Sequence, residues 1–355
     1  MRKSRMSLFC CPIFLLLLLL VSPQLVACGE PRYPVLDSKF PAAEAKLGWI
    51  DNERVIFHGY EVGKPSPDAG HPMAATGLFI WDTVKGTVTK YWDVDGPVPL
   101  CVFQGQMFFT QKLKDKENTW LAITGSFGKE ERRLVSQKLW INGFSCRESV
   151  HKPEWAKEDK HRRWGLLEGH GYLDFGELSP GDPAKPSPIL LYQPNKAHGL
   201  QLPFTSEQIR LHVTYSEFDN SYLLEGRRIT TEAGPVWLLK PDGTVTKVLE
   251  PTGKAWERMG WAGAQLTKKG LFLVGGHAGY DTVGTTGAYL LFNDRPQRLI
   301  AGLVWNESTS PDGCKVAFVH VLHSQAGAES AKALRQGKPG TRTLKIVDLC
   351  AGKGD

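Results

Sequence analysis

The chain has 355 residues, 41% of them hydrophobic and 23% charged, with a formal net charge of +6. That length supports one large domain or two ordinary ones, each with a sizeable core. Arg2, Lys3 and Arg5 sit at the extreme N-terminus, so the rest carries only +3 (6 − 3), and with no long Lys/Arg tract nothing points to a nucleic-acid partner.

The basic start is followed by an apolar run, Ile13-Phe14 and then Leu15 to Leu20, and by Leu25-Val26-Ala27-Cys28-Gly29. A basic n-region, a short apolar core and a small residue before the cut read as a secretory signal peptide over residues 1–27. A transmembrane helix is a competing reading, but the run falls short of the about 20 apolar residues a span needs, and Pro12 and Pro23 bracket it. Leu25 and Ala27 also suit cleavage of an ordinary, unlipidated signal. The cysteine after Ala27 resembles the lipobox of bacterial lipoproteins, and all four positions match. That resemblance implies that Cys28 becomes the acylated N-terminus, carrying more than the single chain that binds membranes only marginally. Gly29 in second place, rather than Asp, implies the outer membrane of a Gram-negative cell, facing the periplasm. The expected layout is a signal peptide at 1–27, a lipid-anchored linker and closing strand at 28–45, and one repeat domain at 46–355.

Beyond the leader, short runs rich in Val, Ile, Leu, Phe, Trp and Tyr recur to the end, bounded by Gly, Asp, Asn and Pro. Amphipathic helical periodicity is nearly absent. The runs fall into groups of four, A to D. In the first unit, B at 55–58 precedes C at 77–82, which turns through Lys85-Gly86 into D at 87–91. The second has B at 107–110 and C at 120–123. The third has B at 171–175 and C at 188–192, and is interrupted by a charged stretch, 151–163. The fourth has B at 221–224 and C at 235–239, then Pro241-Asp242-Gly243 and D at 244–249. The fifth has B at 271–274 and C at 288–292, then Asn293-Asp294 and D at 297–300. In the last, A at 303–305 leads through Ser310-Pro311-Asp312-Gly313 into B at 314–319, with C at 344–348.

Four strands recurring every 40 to 55 residues or so are the signature of a β-propeller. The fold is expected to be all-β with six blades, or seven if the charged stretch conceals another. The last unit is one strand short, and its edge needs cover. Segment 32–37 is expected to supply that strand and close the ring. The Ser-Pro-Asp-Gly-x-x-x-Ala-Phe run at 310–318 resembles the repeat of TolB-type propellers, which implies a fold and not a function.

Cys10 and Cys11 leave with the leader and Cys28 is assigned to lipid, so Cys101, Cys146, Cys314 and Cys350 remain. An even number in an oxidising compartment suggests two disulfides. Free buried thiols are the alternative, and no close cysteine pair suggests a metal. Cys314 opens strand B and Cys350 closes strand C of one unit, ends that an antiparallel pair sets side by side. Cys101 with Cys146 then follows by elimination, as a link between neighbouring units.

The tight turns lie at one end of such a fold, and the long B–C connections, 61–76, 176–187, 276–286 and 323–342, at the other. Loops of that length are often functional, so that end is the candidate recognition face; neutral insertion is the alternative. Residues near the starts of the A strands, Lys46, Lys138, Arg210, His212 and Arg258, would make its mouth electropositive. Asp51, Glu217, Asp219 and Glu307 fall towards the opposite end. The glycine-rich loop with His277, Tyr280 and Asp281 is the most site-like. His320 and His323, three apart, point to opposite faces of a strand and do not share a metal. There is no Gly-x-Ser-x-Gly elbow, His-Glu-x-x-His pair or phosphate-binding glycine loop, and the mouth is poor in the carboxylates that calcium needs. The favoured reading is a monomeric envelope lipoprotein that binds a protein, peptide or glycan, with no cofactor, metal or catalytic residue. The alternative is a periplasmic propeller hydrolase or lyase with its site at the channel mouth.

Overall fold

The computed structural model describes residues 33–61, 63, 75–113, 119–136, 140–141, 146, 148–149, 161–177, 188–205, 210–227, 233–251, 256, 261–275, 286–292, 295–322 and 342–351. The architecture is all-β. The first strand, β1 (Val35–Pro41), belongs to the last sheet. Sheet 1 runs β2 (Gly48–Trp49), β3 (Arg54–Gly59), β4 (Gly77–Asp82), β5 (Thr87–Asp93), and sheet 2 runs β6 (Leu100–Phe103), β7 (Gln106–Lys112), β8 (Trp120–Ser126), β9 (Glu131–Val135). A separate two-stranded pair follows, β10 (Trp140–Ile141) with β11 (Glu148–Ser149). Sheet 3 is β12 (His161–Gly165), β13 (Tyr172–Glu177), β14 (Pro188–Tyr192), β15 (Leu200–Thr205). Sheet 4 is β16 (Arg210–Ser216), β17 (Ser221–Arg227), β18 (Ala233–Leu239), β19 (Val245–Leu249). Sheet 5 is β20 (Trp261–Thr267), β21 (Gly270–Gly275), β22 (Gly287–Phe292), β23 (Arg295–Ala301). Sheet 6 orders β1, β26 (Thr343–Asp348), β25 (Lys315–Val321), β24 (Leu303–Thr309). All six four-stranded sheets are antiparallel throughout.

The sheets stack face to face because their middle strands are apolar on both sides, as strands buried on two faces must be. In β3, Val55 and Phe57 face sheet 6, packing with Ala317, Val319, Leu344 and Ile346. The intervening Ile56 faces sheet 2, packing with Leu100, Met107 and Phe109. Similar clusters join sheets 3 and 4, 4 and 5, and 5 and 6. Against sheet 2 the described residues show a smaller cluster, in which Phe108, Ala122 and Cys146 pack with Cys101, Phe103 and Val135. Cys146 is disulfide-bonded to Cys101, so a covalent link ties sheet 2 to the chain segment that leads to sheet 3. First-in-unit strands lie beside one another, β2 against β6 and β24, and β20 against β16 and β24, which makes them the inner strands.

Antiparallel connectivity gives every sheet two distinct ends. The turns between first and second strands and between third and fourth strands lie at one, the turn end. The second-to-third connections and the crossovers between sheets lie at the other, the loop end. The Ser310–Pro311–Asp312–Gly313 turn shows how local chemistry sets the turn end. Ser310 Oγ donates to Asp312 Oδ1 at 2.6 Å and accepts from the Lys315 N–H at 2.9 Å. Asp312 Oδ1 also accepts from the Cys314 N–H, and Gly313 takes a φ of +75° that a side chain would resist.

β1 pairs antiparallel with β26, setting Val35, Leu36 and Asp37 opposite Val347, Ile346 and Lys345. Its regular strand begins at Val35, later than the 32–37 segment predicts. Pro34 lies before it and accepts the Asp348 N–H through its carbonyl at 3.0 Å. Leu36 and Phe40 pack into the core between sheets 6 and 1, Phe40 lying 4.5 Å from the Phe79 ring and 6.0 Å from Phe57. Cys314–Cys350 joins the turn ends of β25 and β26. The inner strand of sheet 3, His161–Gly165, falls at the end of the charged stretch and not in the segment after Lys138. Arg163 is tolerated there because it pairs with buried Asp174 at 2.9 Å and lies over the Tyr172 ring.

Candidate functional site

Of the cationic residues expected at the loop end, three are described. Lys46 is exposed on the link entering β2, and its carbonyl accepts from His58 Nδ1 at 2.9 Å. Arg210 opens β16, opposite Arg227 in register, and His212 lies opposite Glu225. Lys138, Arg258, His277, Tyr280 and Asp281 lie outside the described residues, as do Cys28 and His323. Asp51 and both Glu217 and Asp219 sit in turn-end loops, and Glu307 in the turn-end half of β24.

Buried polar groups hold the loop end together. His58, 1% exposed, donates from Nδ1 to Lys46 O and accepts the Val98 N–H at Nε2, 3.1 Å away, which ties sheet 1 to the crossover leading to sheet 2. Burial lowers its pKa, and the two backbone contacts oppose that shift. Glu225, also 1% exposed, accepts the Ala264 N–H at 3.0 Å and so ties sheet 4 to the inner strand of sheet 5. His320 bonds Ala301 O at 2.8 Å, and burial lowers its pKa as well.

At the seam between sheets 6 and 1, Glu44 and Arg342 form an ion pair at 2.6 Å, with side chains 14% and 13% exposed. The Arg342 guanidinium lies 5.9 Å from the Trp305 ring centroid on the inner strand of sheet 6. Tyr60, buried nearby, has a hydroxyl without a hydrogen-bond partner among the described residues, and burial pushes its pKa up to about 12. This cluster is absent from the sequence expectations, because its members lie almost 300 positions apart and only the β1–β26 pairing brings them together.

The turn end is different. There, inner-strand turns of sheets 2, 4 and 6 meet. Phe103 and Tyr215 contact edge to face at 5.9 Å. The Glu217 carboxylate accepts the Gln104 N–H; burial raises its pKa and that bond opposes the rise. The Phe218 ring covers Gly313, so closely that a Cβ at 313 would lie 2.6 Å from Phe218 Cδ1. Tyr222 ties this end to sheet 3, its hydroxyl accepting the Leu167 N–H at 2.9 Å and bonding His170 Nδ1 at 2.7 Å. Among the described residues no three His, Cys, Asp or Glu side chains group as a metal site.

Among solved structures, the chain is similar to the β-propeller domain of the Trilobed protease from Pyrococcus furiosus, which has an open velcro topology. The TM-score is 0.50 at 9% identity, covering 88% of this chain and 99% of that one. The fold is a β-propeller. A putative TolB from Agrobacterium tumefaciens gives a TM-score of 0.35 at 13% identity, covering 66% of this chain and 74% of that one. YCF48 bound to D1 peptide gives 0.44 at 10%, covering 90% and 96%. No family model matches the chain. No curated protein matches it either. At these identities the similarity bears on the fold alone.

Proposed function

We propose that this propeller has six blades in a ring closed by β1, is tethered to the cell envelope through a lipid on Cys28, and binds a protein, peptide or glycan partner at its loop end. One observation carries the reading. The turn-end mouth is filled by contacts between alternate sheets, Phe103 with Tyr215, Gln104 with Glu217 and Phe218 with Gly313. The long connections leave from the opposite end, the loop end. The neighbouring pairing of sheet 6 with sheet 1 through β1, Phe40 and the Trp49 Nε1–Ser308 O bond at 2.8 Å supports closure. A binding function suits loops of variable length on a rigid support.

A photo-crosslinking amino acid at Leu322, the exposed residue at the loop end of β25, tests the reading in intact cells. The same probe at Val84, in the turn between β4 and β5, is the comparison. The proposal expects one discrete adduct from Leu322 and none from Val84; adducts from Val84 alone would contradict it. Neutralising Lys46, Lys138 and Arg258 together should weaken the Leu322 adduct, and an unchanged yield would remove the electropositive mouth from the account.

A further inference from the structure

We propose that the outer edge of β9 is a docking site for an extended, acidic segment of a partner protein, which pairs with it as a further strand of sheet 2. The proposal is independent of the lipid tether and of the loop-end site. It rests first on a contrast between β9 and the other outer strands. An outer strand turns alternate N–H and C=O groups away from its neighbour, and folded proteins blunt such edges with bulges, prolines or charge. β1, β5, β15, β19 and β23 each shift register against the strand they pair with. β9 does not: its pairs run in one register from Trp120 with Val135 to Thr124 with Glu131. It contains no proline either. Glu131, Arg132, Arg133 and Leu134 are exposed in succession. Among the described residues no other outer strand has more than two exposed residues in a row. A regular edge facing solvent is the geometry that accepts an added strand.

The side chains of β9 define what that strand should carry. Val135 packs with Phe108 and Ala122, so Glu131 and Arg133 share its face of the sheet, and Arg132 and Leu134 share the other. Arg132 reaches across to sheet 1 and lies over the Trp92 ring, 4.5 Å from its centroid. That contact uses the flat face of the guanidinium and leaves its in-plane N–H groups able to meet a carboxylate. Glu130, whose charge Arg132 also feels, already accepts the Gly128 N–H at 2.6 Å and the Tyr91 hydroxyl. Leu134, 58% exposed, stands two positions along on the same face. An incoming strand therefore meets a positioned cation and an apolar side chain at the spacing of one strand period. Its complement is a carboxylate and an apolar residue two apart.

Opposite charges across a strand pair stabilise it and like charges destabilise it. With neither bulge nor proline, β9 is guarded by charge alone, which turns away basic strands and admits acidic ones. A second copy of the chain fits less well. The antiparallel register that uses all five residues of β9 sets Arg133 opposite Arg133 and offers Arg132 only Leu134.

The test uses the full chain and the fluorescent peptide Ser-Val-Thr-Asp-Thr-Val-Thr-Asp-Ser, with anisotropy as the readout. A second peptide carries Lys in place of each Asp. On the unmodified chain the acidic peptide should bind about tenfold more tightly than the basic one, or better. Of two acidic peptides N-methylated on alternate residues, one should lose binding and the other keep it, because only one set of N–H groups can face β9. Hydrogen exchange should slow in β9 when the acidic peptide is added. In Arg132→Glu the preference should invert towards the basic peptide, with circular dichroism unchanged; the peptide comparisons on the unmodified chain stand whatever that variant does to folding. No saturable binding of the acidic peptide up to about 1 mM, the same effect from both methylated peptides, or an unchanged preference in a folded Arg132→Glu overturns the proposal. So do β9 amides as protected as those of β8 before any peptide is added, which would show the edge covered by the chain itself. A dimer in sedimentation that Leu134→Glu dissolves would likewise overturn it and give the edge to a second copy.

Discussion

Breaking the Cys314–Cys350 disulfide tests how much of the fold depends on the end of the chain. The bond closes a separation of 36 residues. Restricting a loop of that length in the unfolded chain stabilises the folded state by about 4 kcal/mol in the chain-entropy relation, within the 2–5 kcal/mol that losing such bonds typically costs. Against the roughly 5–15 kcal/mol of net stability usual for a folded domain, that is a large share. Two consequences follow for Cys314→Ser/Cys350→Ser in urea unfolding followed by tryptophan fluorescence. The midpoint falls, and the slope m rises because the uncrosslinked unfolded chain exposes more surface. Hydrogen exchange should also quicken first in β26, which the bond pins to β25 at the turn end, and in β1, which pairs with β26. A loss under about 1 kcal/mol, or faster exchange spread evenly over all six sheets, would refute the reasoning. The Cys101–Cys146 bond closes a similar separation, 45 residues, and losing it in Cys101→Ser/Cys146→Ser should cost about as much globally. Its exchange signature should instead centre on sheet 2 and the segment leading to sheet 3.

Tyr222→Phe removes a hydroxyl that holds the Leu167 N–H and His170 across two sheets, at a site with no exposure. It should cost about 1–3 kcal/mol, because a buried donor is left unmet, and this reads directly in the urea midpoint. Stability should also fall as pH drops below the ordinary histidine value of 6.5. His58 and His320 have lowered pKa values when folded, chiefly through burial, so the unfolded chain takes up protons first. For His58 the geometry agrees, because a proton on Nε2 would set a donor against the Val98 N–H. His58→Gln should flatten the decline of the midpoint between about pH 7 and 5; an unchanged slope would count against a neutral His58.

The parts of the fold that can be read from the sequence are those whose chemistry is local. The Ser310–Pro311–Asp312–Gly313 turn closes through its own side chains, and Cys314 with Cys350 follows from two strand ends in one hairpin. The apolar middle strands stand out because both of their faces are buried, as Val55 to Phe57 illustrate. Outer strands do not stand out: β9, Glu-Arg-Arg-Leu-Val, is almost wholly exposed and owes its existence to pairing with β8. β12 is hidden for a related reason. Its His-Arg-Arg opening reads as a charge run, and only pairing with β13, which sets Asp174 and the Tyr172 ring against Arg163, makes it acceptable inside a sheet. The β10–β11 pair has two residues per strand, too few for any periodicity.

The candidate site is less legible than the fold. Sequence spacing locates Lys46 and Arg210 at one end, because an A strand's start follows from its turn. The cluster of Glu44, Arg342, Trp305 and Tyr60 depends on which strand closes sheet 6, and no local pattern records that. The filling of the turn end depends on contacts between sheets two apart in sequence order, such as Phe218 over Gly313.

The account stands on β1 lying against β26, and one crosslink on the unmodified chain measures that contact. The Asp37 carboxylate and the Lys345 ammonium are 3.4 Å apart, in register across the two strands. A carbodiimide joins such a pair as an amide without a spacer, and mass spectrometry of the monomer's peptides reads the link. The account predicts an intramolecular Asp37–Lys345 peptide that disappears in Asp37→Asn. Monomer in which Asp37 links to some other sheet and never to Lys345 would contradict it.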